Sequence, residues 1–238
     1  MANCLIAQWI DFMIAVIDYG MGNLRSVQKA LEVSGAKTIV TSKPADLERA
    51  ERIVFPGVGS FGEAMAELKR RGLKKPIKEA IAGGKPFLGL CLGLQLLFER
   101  SDEAPGIKGL CVLKGEVKRF SFKGQGSRVR GQVLKIPHMG WNTINLYPVP
   151  CTLYPEILKG VPDGAYMYFV HSYYVKPKDE SVILTTTDYG GKFVSGIHKD
   201  NIYGLQFHPE KSQGLGLKIL KNFINLTHTP GVCSGVCL

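Results

Sequence analysis

A cysteine stands between two glycines in the stretch LGLCLGL, where an apolar, strand-like run changes into a helical pattern. The arrangement Gly89-x-Cys91-x-Gly93 has the form of a nucleophile elbow, the tight strand-to-helix turn that exposes a reactive side chain at the edge of a sheet. The N-terminus of a helix also favours a thiolate, because its free N–H groups and dipole stabilise negative charge. By itself the pattern fits a core cysteine in a glycine-rich turn equally well.

A base for that thiol is offered by the stretch YGLQFHPEKS, in which a strand-like run ends in His208-Pro209-Glu210. Residues two apart on an extended segment project from the same face, so the Glu210 carboxylate could hold the His208 ring. Together with Cys91, this pair predicts a catalytic Cys-His-Glu triad. A surface ion pair is the alternative interpretation of the two residues taken alone.

Backbone donors for a developing oxyanion are predicted in VFPGVGSFGEAM, a glycine-rich loop between a strand and a helix. The N–H groups of Val58 and Gly59 could point at the negative charge, and the N–H of Leu92 is the natural further donor. A phosphate-binding loop is the competing interpretation, but the stretch lacks the Gly-Lys-Ser/Thr ending of such a loop.

The elements that must position these residues follow two patterns along the chain of 238 residues. Over the first hundred residues strands and helices alternate, which predicts βαβ units and a mostly parallel sheet with helices on both faces. From about residue 110, short β-branched and aromatic runs predict antiparallel strands, in the same sheet or in a second one, before a last helix. We therefore predict an α/β fold and a single domain over residues 14–226.

The two ends of the chain are predicted to lie outside this domain. Residues 1–13 are apolar but lack a basic leader and are too short to span a bilayer, so we interpret them as an N-terminal extension. Residues 227–238 form a small polar tail whose Cys233 and Cys237 lack the histidines of a zinc site. The six cysteines are scattered without a disulfide framework, which favours a reducing, cytoplasmic environment.

The formal charge of +10 comes mainly from two basic stretches, residues 69–78 and residues 114–135. Neither stretch matches an RNP pattern, a helix-turn-helix or a zinc-finger spacing, so we predict no nucleic-acid partner. Solvated faces or a surface that docks a protein are the favoured interpretations. The sequence likewise predicts no membrane attachment, no cofactor and no metal.

Several motifs occur in an order and spacing that resemble the class I glutamine amidotransferase family. The general ones are PGVGSFG, GLCLGLQLLFE and GLQFHPEKS, whereas DYGMGNLRS, PHMGWN and YFVHSY are similar to the glutaminase subunits of imidazole glycerol phosphate synthases. The resemblance covers about residues 14–226. It implies a flavodoxin-like fold, with a central parallel sheet, flanking helices and added antiparallel strands in the C-terminal half.

This resemblance implies that the chain hydrolyses glutamine to glutamate and ammonia. Cys91 would attack the side-chain amide, His208 would carry the proton to the departing ammonia, and Glu210 would orient His208. Water would then release glutamate from the glutamyl thioester. The resemblance also assigns glutamine binding to Gly57, Gln95, Glu103, His171, Ser172 and Tyr173.

The resemblance further implies a heterodimer in which the ammonia passes to a cyclase subunit that makes imidazole glycerol phosphate and aminoimidazole carboxamide ribotide in histidine biosynthesis. The implied interface residues are Asn23, Trp141, Tyr168 and Lys211. A resting loop that presents a C=O instead of an N–H at residues 57–59 would cost the transition state about 3 kcal/mol, which would keep the glutaminase weak until the partner binds.

Three other functions remain open on the sequence. The chain could be the glutaminase of another biosynthetic pathway, a different cysteine hydrolase with the same elbow, or a binding subunit without catalysis. The motifs DYGMGNLRS, PHMGWN and YFVHSY argue against the glutaminase of another pathway. The complete set of Cys91, His208 and Glu210 argues against a binding subunit without catalysis.

Overall fold

The computed structural model describes residues 13–122, 128–129, 132–147 and 155–226. Nearly all of the predicted N-terminal extension, the tail with Cys233 and Cys237, and part of the second basic stretch lie outside these residues. Within the described ranges, no helix is both long enough and apolar enough to cross a membrane.

The helices and strands alternate through the first half of the chain, as the sequence predicts. The strands are β1 (Met13–Ile17), β2 (Lys37–Thr41), β3 (Arg52–Phe55), β4 (Phe87–Leu90), β5 (Arg100–Ser101), β6 (Gly115–Arg119), β7 (Arg128–Val129), β8 (Gln132–Val133), β9 (His138–Leu146), β10 (Ala165–His171), β11 (Tyr173–Pro177), β12 (Ile183–Asp188), β13 (Lys192–Lys199) and β14 (Ile202–Leu205). The helices are α1 (Leu24–Val33), α2 (Pro44–Arg49), α3 (Phe61–Arg70), α4 (Lys74–Ala82), α5 (Leu92–Gln95) and α6 (Gln213–Ile224).

Five parallel strands form the half of the sheet that carries the elbow. Their spatial order is β2-β1-β3-β4-β14, and each neighbouring pair is parallel. Numbered along the chain, this is the order 2-1-3-4-5 of flavodoxin-like folds, in which ligands bind beyond the carboxyl ends of the strands. The predicted α/β class is therefore confirmed.

The antiparallel strands of the C-terminal half extend the same sheet, which decides between the two arrangements that the sequence left open. The order continues from β14 through β13, β12, β9 and β10, with every pair antiparallel. Strands β11, β6 and β5 branch from β13, so that within the described residues this sheet has 12 strands. Strands β7 and β8 form a separate pair.

The central strands are buried on both faces because each face is covered by helices. Alternate side chains of β1 enter two hydrophobic clusters, one that contains Ile17 and one that contains Val16. The first cluster includes apolar side chains of α3 and α4, and the second includes those of α1 and α6. Such burial on both faces explains the nearly continuous apolar runs of these strands.

Three sequence expectations differ from the structure in extent. The helix predicted after Cys91 is a single turn, because backbone turns replace regular helical bonds beyond Leu96. The run AYMYFVHSYYV divides at Ser172, since its first half pairs with β9 and its second half with β6. The run CVLKGEVKRF, residues 111–120, is one of the strand-like runs that follow residue 110, and it forms a strand only from Gly115.

Candidate active site

Cys91 occupies a strained turn between β4 and α5. Its backbone has φ 51° and ψ −106°, a conformation that is costly for a residue with a Cβ atom. A Cβ on Gly93 would collide with the carbonyl oxygen of Phe55, and one on Gly89 would lie 2.9 Å from the carbonyl oxygen of Gly93. Both glycines are therefore required by close backbone contacts, and the stretch has the geometry of a nucleophile elbow.

The elbow is joined directly to the strand that leads to His208. The N–H of Cys91 donates to the carbonyl of Leu205, the last residue of β14, at 2.7 Å. Three residues later, Nδ1 of His208 lies 2.8 Å from Oε1 of Glu210. The side chains of His208 and Glu210 are 4% and 1% exposed, so this pair is not the surface ion pair that the sequence allowed.

The electrostatics of His208 depend on both of its predicted partners. Burial lowers the pKa of His208, but the Cys91 thiolate and the Glu210 carboxylate outweigh burial and raise that pKa to about 10. Among the described residues, Nε2 of His208 makes no hydrogen bond within the usual distance limits, although the sulfur of Cys91 is close enough to act on the charge of the ring. At neutral pH the ring is therefore an imidazolium that can act as an acid.

A cavity of about 260 Å³ opens beside Cys91. Most of the residues predicted for the oxyanion and for glutamine line it, and they are Val58, Gly59, Leu92, Gln95, Glu103, His171, Ser172 and Tyr173; Pro137 and Val170 complete the wall. Gly57 is not among the lining residues, and a Cβ at this position would lie 2.7 Å from the Tyr19 hydroxyl and 2.8 Å from Cβ of Leu92. Gly59 has a φ of +102°, which favours glycine there.

A residue that the sequence analysis missed lies behind the cavity wall, in contact with two residues that line the cavity. Gln206 is fully buried, and its Nε2 donates to Sγ of Cys91 at 3.6 Å. Nε2 of Gln95 donates to Oε1 of Gln206 at 3.2 Å and to the carbonyl of Tyr173 at 3.0 Å. Gln206 is two residues before His208, so the spacing that predicted the His208–Glu210 pair could also have pointed to it.

Glu103 brings a carboxylate to the opposite side of the cavity. Its Oε2 accepts from the N–H of Phe61, the first residue of α3, at 2.7 Å. This bond joins the cavity wall to the loop that carries Val58 and Gly59. A carboxylate in this position is suited to an amino group of a bound amino acid.

His171 is held in the wall by two hydrogen bonds. Its Nδ1 lies 2.8 Å from the carbonyl oxygen of Tyr173, and its Nε2 lies 3.0 Å from Nδ1 of His138. Burial lowers the pKa of His171 to about 3 and that of His138 to about 4. Both rings are therefore neutral, and His138 is a second residue for which the sequence analysis predicted no role.

Three of the four predicted interface residues form one cluster, with two of them on β9 and β10 and the third in the turn after His208. Trp141 on β9 pairs with Tyr168 on β10, and their ring centroids are 6.0 Å apart. The ammonium of Lys211 lies 5.7 Å from the centroid of the Tyr168 ring. Trp141 remains 46% exposed. Asn23 is exposed at the start of α1, which packs against the turn that contains Lys211.

This combination of fold and site agrees with the comparisons with known proteins. The model of the family described as glutamine amidotransferase class-I matches residues 15–226. Two solved structures share the fold: a glutamine amidotransferase with a TM-score of 0.65 and 18% identity, covering 88% of this chain and 98% of that one, and PurLQS from Thermotoga maritima with a TM-score of 0.64 and 20% identity, covering 90% and 97%. The chain belongs to the class I glutamine amidotransferase family.

Its sequence relatives narrow the family further. The chain is 51% identical over 210 residues to the imidazole glycerol phosphate synthase subunit HisH of Geobacter sulfurreducens, a match that covers 88% of this chain and 97% of the relative. It is 48% identical over 211 residues to the subunit of the same name from Rhodopirellula baltica, covering 89% and 96%. Within the amidotransferases, the chain is thus a member of the HisH family.

Proposed function

We propose that Cys91, His208 and Glu210 hydrolyse glutamine to glutamate and ammonia, and that the chain supplies this ammonia as the glutaminase subunit of an imidazole glycerol phosphate synthase. The observation that carries the proposal is the position of Cys91 at a strained elbow that opens into a cavity. There its thiolate and the Glu210 carboxylate together raise the pKa of His208. We also infer that residues 14–226 act as one amidotransferase domain, since the family match covers residues 15–226 and one sheet joins strands from β1 to β14.

The chemistry proceeds in two half-reactions. The Cys91 thiolate attacks the side-chain carbonyl carbon of glutamine, and the oxyanion is met by the N–H groups of Leu92 and of the loop at Val58 and Gly59. The C–N bond breaks as the His208 imidazolium gives its proton to the leaving ammonia. The neutral His208 then takes a proton from water, and the resulting hydroxide attacks the thioester, releasing glutamate and restoring the thiolate.

The cavity wall fits the two charged groups of the glutamine backbone. Glu103 supplies a carboxylate for the ammonium, and the segment from His171 to Tyr173 supplies main-chain groups for the carboxylate. Hydrogen bonds of Gln95 and Gln206 connect this segment to the sulfur of Cys91. A cytoplasmic, reducing environment would keep such a thiol free.

The proposed partner is a cyclase subunit that consumes the ammonia. Exposed Trp141 with Tyr168 and Lys211 offers an aromatic and cationic surface of the kind that anchors protein interfaces. The N–H of His208 donates to the carbonyl of Tyr168 at 2.9 Å, so a residue of this surface is hydrogen-bonded directly to the proposed base. Association could therefore act on the site through β10.

A glutaminase assay tests the proposal. We expect slow release of glutamate by the chain alone and a rise of roughly 100-fold or more with its cyclase subunit and the ligand of that subunit. A rise with the cyclase of the histidine pathway, but not with subunits of other amidotransferases, identifies the pathway. Glutamine that stays intact in the complete mixture would contradict the proposed activity.

A further inference from the structure

His138 is the buried histidine of the PHMGWN motif, and the mechanism above gives it no task. It is 3% exposed at the start of β9, directly opposite His171 on β10. Its ring stacks on Tyr189 at 4.0 Å and on Phe169 at 4.9 Å between centroids. These contacts explain why an aromatic side chain stands at this position, but they do not explain why its ring carries two nitrogens.

The hydrogen bonds around His138 can run in one direction only. The carbonyl of Tyr173 must accept, so Nδ1 of His171 carries the hydrogen and its Nε2 accepts. Nδ1 of His138 is therefore the donor across the 3.0 Å contact, and Nε2 of His138 accepts from Asn142 Nδ2 at 3.2 Å. The amide orientation of Asn142 is set independently, because its Oδ1 accepts from the N–H of Thr143 at 2.8 Å.

The far end of this chain of bonds lies in the cavity wall. The Tyr173 carbonyl accepts from His171 and also from Gln95, whose amide holds Gln206 against the sulfur of Cys91. If His171 changed to the Nε2–H tautomer, the lone pair of its Nδ1 would face the lone pairs of the Tyr173 carbonyl. That repulsion would displace Tyr173 and the amide of Gln95 with it.

We propose that His138 is a positioning residue for glutamine: by donating Nδ1–H to His171 it holds His171 in the Nδ1–H tautomer, and so fixes the Tyr173 carbonyl and the Gln95 amide beside Cys91. The inference rests on the proposed glutaminase activity. Its first consequence, the tautomer of His171, is independent of any activity.

A pair of substitutions separates the hydrogen bond from the packing. His138→Leu and His138→Asn both remove the stacked ring and leave side chains of similar size, but only the amide of asparagine can place a donor near the former Nδ1. In the complex with the cyclase subunit, we expect the leucine variant to raise the KM for glutamine roughly tenfold, with a smaller change in kcat. The asparagine variant should stay within about threefold of the wild-type KM.

Nitrogen NMR of the histidine rings supplies the direct readout. We expect His171 of the wild type to be neutral with hydrogen on Nδ1, in contrast to His198, whose Nε2 donates to the carbonyl of Asp200. In His138→Leu the His171 signals should move toward the Nε2–H form, and in His138→Asn they should not. Hydrogen on Nε2 of His171 in the wild type would overturn the proposal, as would equal KM values for the two variants.

The proposed activity has its own control in the same experiment. If the complex with Cys91→Ala releases glutamate as fast as the wild-type complex, the proposed function fails. The tautomer measurement still decides the role of His138 in that case. Thermal unfolding will show whether the leucine variant folds. If it does not, the NMR spectrum of the wild type and the KM of the asparagine variant decide whether His138 sets the tautomer of His171.

Discussion

The charge on His208 determines what this residue can do in the reaction. Taken alone, a buried histidine loses its proton easily, as His138 and His171 do. His208 is the opposite case, because two anions act on its ring against the effect of burial. In the proposed reaction, a ring that is charged at neutral pH protonates the departing ammonia, and the same ring becomes a base once that proton has left.

We predict that removing the thiolate lowers the pKa of His208. In the wild type this pKa is raised to about 10, so the ring should stay charged as the pH rises through neutrality and lose its proton only near pH 10. In Cys91→Ala, burial is opposed by Glu210 alone, and the ring should lose its proton at lower pH. Histidine NMR titration measures both values. A His208 pKa that is equal in the two proteins would contradict the electrostatic coupling; His198 serves as the internal control.

Replacing Glu210 by glutamine should slow catalysis without unfolding the protein. The amide oxygen of Glu210→Gln can still accept from Nδ1 of His208, but the negative charge that stabilises the imidazolium is lost. We expect kcat for glutamine to fall by roughly 10²- to 10⁴-fold, with a small change in KM. Steady-state kinetics of the complex measures this. Glu180→Gln, at an exposed turn, is the control, and equal kcat values for the two variants would rule out an orienting role for Glu210.

The elbow depends on three elements that meet at one point. Cys91 directly follows strand β4, and its N–H donates to the last residue of β14. The carbonyl of Phe55, at the end of β3, lies against Gly93. Because these contacts are between backbone atoms, they leave no side chain that could move aside. The position of the sulfur is thus a property of the packed strands as much as of the cysteine itself.

Gly93→Ala should therefore be strongly destabilising. The new Cβ would collide with the carbonyl oxygen of Phe55, and we expect a loss of about 3 kcal/mol in the free energy of unfolding. Gly214→Ala is the matched control, because Gly214 lies in α6 with open space around its Cα. That control, at the second residue of α6, should change the free energy of unfolding by less than about 0.5 kcal/mol. Urea unfolding compares them, and a Gly93→Ala protein as stable as wild type would refute this view of the elbow.

The local elements could be predicted from the sequence because periodicity and glycine positions act over short distances. β1 through β4 and the helices between them follow the predicted alternation. Strand pairing could not be predicted in the same way. The division of β10 and β11 at Ser172 depends on two partners, β9 and β6, which are distant in the chain.

The same limit explains which residues of the proposed site carry a signal in the sequence. Cys91, His208 and Glu210 carry local signals, namely the glycines of the elbow and a two-residue spacing at a strand end. The role of His138 depends on its register opposite His171, and the contact of Gln206 with Cys91 depends on the neighbouring positions of β14 and β4. Such contacts arise only when the sheet is assembled.

At the scale of the whole molecule, a few strands connect the outer surface to the proposed active site. β9 and β10 present Trp141 and Tyr168 outward, while their first and last residues hold the His138–His171 pair next to the cavity. The basic helix α4 lies elsewhere, and its Lys75 and Lys78 are exposed, as expected for a solvated face. A partner seated on β9 and β10 would therefore contact elements that reach the glutamine site.

Trp141→Ala should weaken binding of the cyclase subunit and leave the isolated chain intact. Truncating an exposed aromatic anchor costs an interface about 2 kcal/mol, which raises Kd by roughly 30-fold. Because Trp141 is 46% exposed, the Tm of the chain alone should change little. Val33→Ala, an exposed apolar position on α1, is the control. Calorimetry that finds the same Kd for both variants would place the interface elsewhere.

The most direct test replaces the nucleophile in the assembled complex. Cys91→Ala should abolish the synthesis of imidazole glycerol phosphate from glutamine, because no thioester can form. Synthesis from added ammonium salt should continue at the wild-type rate, since the cyclase subunit needs only the ammonia. Measuring product formation from the two nitrogen sources side by side separates these reactions. Glutamine-dependent synthesis that survives in Cys91→Ala would contradict the assignment of Cys91 as the nucleophile and, with it, the proposed function.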